Sequence, residues 1–156
     1  MDAGVEEPSE TRYPTPRLRR AAARLLALEL GGAPATAETL AAASGRLLDK
    51  LCQRLAQVIG PAGVHSILRR AVKLRKAEFP FLDERIVLGD SRASVSELFR
   101  ACLQEQEPAV IQDVSVTLFA TFTGALATLV GDELTWSLLQ QIWPDTLPTL
   151  DRTAGD

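Results

Sequence analysis

The stretch Val114–Gly131, VSVTLFATFTGALATLVG, decides the fold. Between Asp113 and Asp132 it runs eighteen residues without a charge, close to the shortest length that spans a bilayer. Five of those residues are Ser or Thr (Ser115, Thr117, Thr121, Thr123, Thr128). Its flanks are acidic where a span would carry Lys, Arg, Trp or Tyr anchors. A helix apolar on every side is also what the centre of a bundle requires. The expectation is therefore a buried central helix, Val110 to Val130, and no membrane partner.

The rest of the chain agrees with a helical context. At 156 residues it has the length of one domain with a real core. Leu and Ala dominate the apolar set while aromatics make up only 5%, so helix formers prevail and the β-branched and aromatic runs that mark strands are scarce. The fold class read from this is all-α.

Punctuation then divides the chain. Thr15-Pro16 starts a helix that stops at Gly31-Gly32, with Leu18, Ala22, Ala23, Leu25 and Leu26 as its apolar stripe. Thr36 caps a helix from about Ala37 to Ile59. Gly60-Pro61 breaks it, and a third helix continues to about Phe79. Residues 80–93 form a linker with one short extended candidate, Arg85 to Leu88. Ser94 and Glu97 make a capping box for a fourth helix. Pro108 opens the neutral helix, and Asp132 caps a last one, Glu133 to Trp143. The expected organisation is a six-helix bundle over 16–144, between a disordered acidic tail (1–15) and a frayed tail (145–156).

An internal echo sits in this plan. With Gly60 aligned on Gly131, an offset of 71, Leu47, Leu48, Leu51, Leu55, Val58 and Ile59 fall on Leu118, Phe119, Phe122, Leu126, Leu129 and Val130. Both segments read as long helix, glycine break, shorter helix, then aromatic-proline (Phe79-Pro80, Trp143-Pro144). Chance registration of Leu-rich helices and true duplication are both open.

Charge is sorted along the chain. Residues 1–15 carry net −3; residues 16–76 carry twelve bases against three acids, net +9; residues 77–156 carry thirteen acids against four bases, net −9. The total of −3 hides this dipole, which steers a partner or folds the halves together.

No catalytic constellation accompanies it. His65 is the single histidine, and no Cys or His stands at ligand spacing from it. One axial histidine would suffice for haem, but its echo partner is Trp136, which marks a packing or rim position. His65 and Ser66 are adjacent, so on a helix they point about 100° apart and form no catalytic pair. Carboxylates cluster at caps and linkers, and no phosphate-binding glycine loop is present. Cys52 and Cys102 read as buried thiols of a reducing compartment. The expectation is a non-enzyme without metal or cofactor, cytoplasmic and, from its Ala, Arg and Leu richness, bacterial.

Two features carry partners. In Arg69-Arg70-Ala71-Val72-Lys73-Leu74-Arg75-Lys76, the residues Arg69, Lys73 and Lys76 share one helix face, opposite Ile67, Ala71 and Leu74. The last helix carries Leu134, Trp136, Leu138, Leu139, Ile142 and Trp143, more apolar surface than a short terminal helix needs. The expected site is thus a basic ridge of Arg69, Arg70, Lys73 and Lys76 with Trp136 and Trp143 as anchors. Its partner would be another protein, a second copy of the chain included.

Nucleic acid is the alternative. Gly31, Thr36, Leu40, Ala41, Gly45 and Leu51 stand at the spacing of a turn, a cap and two packed helices, and residues 29–55 resemble the helix-turn-helix of TetR-type repressors. The resemblance implies Arg46 to Arg54 as a recognition helix in the major groove. The chain departs from that pattern with Arg46 after the turn glycine, and with Leu47, Leu48 and Cys52 in place of phosphate-contacting side chains.

Overall fold

The computed structural model describes residues 16–82 and 95–144. The expected tails and the strand candidate at Arg85 to Leu88 lie outside the described residues. Within them the fold is all-α, and its elements are five helices.

Helix α1 (Pro16–Leu30) opens on a proline whose fixed φ suits the first helical position. It buries Leu18, Ala21, Ala22, Leu25 and Leu26, an i, i+3, i+4, i+7, i+8 stripe. Ala21 takes the place expected for Ala23, which is exposed beside Arg20 and Arg24.

Helix α2 (Ala37–Arg75) is capped as expected. The Thr36 hydroxyl accepts from the Thr39 N–H at 3.1 Å, and the Thr39 hydroxyl accepts from the Thr36 N–H at 3.0 Å. The helix is bent at Gly60 (φ 84°, ψ 158°), just before Pro61. That conformation is reserved for glycine, and proline removes the next backbone donor. One residue re-aims the axis without inserting a loop. The two helices expected around Gly60-Pro61 are therefore one bent element, and the bundle has five helices rather than six.

Helix α3 (Val95–Leu103) is short, and Phe99 and Leu103 anchor it in the core. Its first turn rides over Gly45 of α2, where an added Cβ would stand 3.2 Å from the Ser96 carbonyl oxygen.

Helix α4 (Pro108–Val130) is the central helix, buried without interruption from Val114 to Leu126. It is long and apolar enough to cross a membrane, yet 72% of its most apolar eighteen-residue window lies inside the fold. Its hydroxyls tolerate burial because they bond within the helix: Thr121 donates to the Thr117 carbonyl at 2.7 Å and Thr123 to the Phe119 carbonyl at 3.0 Å.

Helix α5 (Asp132–Ile142) follows directly. Gly131, not Asp132, holds its N-cap position. Asp132 and Glu133 form the first turn instead, where carboxylates complement the helix dipole.

The 71-residue echo has a structural counterpart. Shifted by 71, residues 37–59 coincide with the bounds of α4, Pro108–Val130. Gly60 (φ 84°, ψ 158°) and Gly131 (φ 93°, ψ 157°) share one conformation. Leu40, Ala43, Leu47, Leu48, Leu51 and Leu55 are buried, and so are Ile111, Val114, Leu118, Phe119, Phe122 and Leu126. Each unit is thus a first helix, a long helix, a glycine kink and a last helix. The units exchange their first helices: α1 packs chiefly on α4, and α3 on α2. Ser44 and Ser115, equivalents at this offset, meet with hydroxyl oxygens 2.5 Å apart in the core. Equivalent positions of the two long helices are thus in contact at the centre of the core.

Candidate functional site

Beyond the kink, α2 buries Val64, Ile67, Leu68, Ala71 and Val72. This fixes the opposite face, and Arg69, Arg70, Lys73 and Lys76 are all exposed on it. Positions i, i+4 and i+7 bring Arg69, Lys73 and Lys76 onto one line about 10 Å long. From Pro61 to Lys76 the sequence has no Asp or Glu, so the helix offers these cations no intrahelical partner.

Several other cations are compensated by the fold, whereas Arg20 and Arg24 on α1 stand exposed as the ridge does. Arg19 pairs with Asp113 at 3.4 Å and donates to the Thr117 hydroxyl at 3.0 Å. Arg46 and Lys50 converge on Glu29, whose side chain is only 6% exposed. Arg75 pairs with Glu78 at 2.8 Å. Arg17 lies over the Trp136 ring, 4.2 Å from its centroid. Arg69, Lys73 and Lys76 make no ion pair among the described residues. The equivalents of Arg69, Arg70 and Lys73 in the second unit are Gln140, Gln141 and Pro144. The second unit thus has no cation at these positions, and its last helix stops at Ile142, before the equivalent of Lys73.

The tryptophans are placed differently from the expectation. Trp136 is 7% exposed and Trp143 4%. Trp143 meets Phe119 edge-on, with centroids 6.1 Å apart. Leu138 and Leu139 are buried with them, so the core takes up most of the apolar face of α5 while Leu134 stays 43% exposed. Trp143 is held in the core, and Trp136 reaches the surface only as the wall of a pocket. Most of the surplus seen in the sequence covers α4 from a second side.

The helix-turn-helix geometry is not formed either. Gly45 lies inside the continuous helix α2, with Gly60 its one non-helical residue. Leu47, Leu48, Leu51 and Leu55 face the core. The resemblance rested on Gly, Ala and Leu, which here serve a close helix approach and a core stripe rather than a turn.

His65 is exposed. No group of three or more His, Cys, Asp or Glu able to hold a metal occurs among the described residues. Cys52 and Cys102 are free thiols, both partly buried. Burial, helped by the Asp49 charge, pushes the Cys52 thiol up to about 12, so it stays protonated and unreactive at neutral pH.

Concavities open on the surface formed by the described residues. A groove of about 470 Å³ between α1 and α4 is lined by Arg19, Arg20, Ala23, Gln112, Asp113 and Val116. It lies beside Val116, whose equivalent on the α2–α3 contact is Gly45; the valine side chain stands where the other unit has none. A pocket of about 330 Å³ sits at the start of α5, bordered by Arg17, Asp132, Glu133, Trp136, Ser137 and Gln140. Sequence reasoning missed this second place because it requires the Gly131 kink to present the α5 first turn outward.

Compared with known proteins, the chain matches no family model, no curated protein and no solved structure. The candidate site stands on its own geometry.

Proposed function

We propose that this chain is a small non-enzymatic interaction module, of an adaptor or regulatory kind, that docks an acidic protein surface through the ridge Arg69, Arg70, Lys73 and Lys76. One observation carries this reading. Arg69, Lys73 and Lys76 stand exposed and without an ion pair among the described residues, aligned on one helix face. Desolvating three aligned cations against carboxylates gives specificity and fast, salt-sensitive association rather than large affinity.

The test compares the wild-type chain with Arg69→Glu/Lys73→Glu/Lys76→Glu for binding of a labelled polyglutamate probe. Retention should fall at least tenfold in the variant, with the helical circular dichroism unchanged. Equal retention would remove the ridge from the function. Duplex DNA binding with a steep salt slope, stronger than polyglutamate binding, would move the assignment to nucleic acid.

A further inference from the structure

The ridge has a counterpart on the same molecule. At the second kink, Leu129 is 70% exposed and Leu134 43%, on either side of Gly131. Between them stand Asp132 and Glu133, exposed and without an ion pair among the described residues. Complementing the helix dipole accounts for two acids in a first turn. It does not account for two leucines left in water beside them. The pocket of about 330 Å³ opens here, with these carboxylates at its border and Trp136 along its wall. Arg17, lying over the Trp136 ring, closes its other side, so the border carries two carboxylates against one guanidinium.

The corresponding place in the first unit is the start of the ridge. Val58, the equivalent of Leu129, is 46% exposed, and the exposed Pro61 and Ala62 occupy the positions of Asp132 and Glu133. Arg69 and Lys73 continue the same face. Two surfaces of like backbone shape therefore carry opposite charge. Over the described residues the first half, 16–82, has twelve bases against four acids, net +8; the second, 95–144, has six acids against one base, net −5. Within one molecule the two surfaces do not pair.

We infer that the chain associates with itself head to tail, the ridge of one copy seated on the Leu129–Leu134 kink of the next. This deepens the ridge reading and rests on it. Each copy offers one surface of each kind, so the contact is heterologous and propagates beyond a dimer. Leu129 and Leu134 supply the apolar centre; Asp132 and Glu133 meet Arg69 and Lys73 around it.

The experiment is sedimentation of the full chain at about 0.01 M and about 1 M salt, where charges are screened over about 30 Å and about 3 Å. At low salt the weight-average mass should climb with concentration past twice the 16.9 kDa of the monomer. At high salt it should return to one copy. Arg69→Gln/Lys73→Gln and Asp132→Asn/Glu133→Gln should each be monomeric at low salt. Mixed in equal amounts they should form a dimer and nothing larger, because each contributes one intact surface. A wild-type chain that stays monomeric, association that survives high salt, or variants that polymerise like the wild type would each overturn the proposal. Polyglutamate binding separates the two readings: a monomeric chain that still retains the probe keeps the ridge and loses self-association.

Discussion

Ser44 and Ser115 show how much one contact can say. Both are nearly inaccessible, 1% and 3% exposed, and each hydroxyl has the other as its partner. Removing one leaves the other buried next to a methyl group, which costs about 1–3 kcal/mol. Removing both leaves no orphan. Ser44→Ala and Ser115→Ala should each destabilise by about that amount, and the double variant by clearly less than their sum, in a urea-denaturation cycle. The alignment of Gly60 on Gly131 places these serines in register, but no spacing rule brings them into contact. That contact depends on how the two long helices pack, which is a long-range property. The exposed positions of Arg69, Lys73 and Lys76 were legible because helical periodicity alone fixes them opposite Ile67 and Ala71. The fate of Trp136 and Trp143 was not, because an apolar face looks the same whether its partner is inside the molecule or outside it.

At the scale of elements, the glycine kinks repay a direct test. Gly60 and Gly131 differ by only nine degrees in φ and one in ψ, and an added Cβ at either would meet nothing within 4 Å. Any penalty for substitution is therefore conformational, not steric contact with a neighbour. Gly60→Ala and Gly131→Ala should each lower stability by about 1–3 kcal/mol, and by similar amounts. Thermal unfolding of both variants checks this; a large loss at one and none at the other would break the equivalence of the units. The all-α class, the Thr36 cap and the buried central helix were plain from periodicity and punctuation. The number of helices was not, since Gly-Pro signals a break without stating whether a loop or a single bent residue makes it. Gly45 misled in the opposite direction: a glycine can mark a turn or admit a neighbouring backbone, and here Ser96 fills the space over it.

Across the whole molecule, the charge dipole gains an address. The positive half is the first unit and the negative half the second. Such a body attracts copies of itself in one orientation and repels them in the other. The core carries little of this polarity, because Arg19–Asp113 is the one ion pair joining the two units among the described residues. Stability should therefore respond less to salt than association does.

The exchange of first helices has one more consequence. Because α1 lies on α4 and α3 lies on α2, the two halves are interlocked like a clasp, each closing the other. Cohesion between the described halves comes from their shared core. A single protease cut between Leu82 and Val95 should leave two fragments that travel together on gel filtration and part only in denaturant. Separation of the nicked halves in native buffer would show that the peptide bond, not the clasp, holds them.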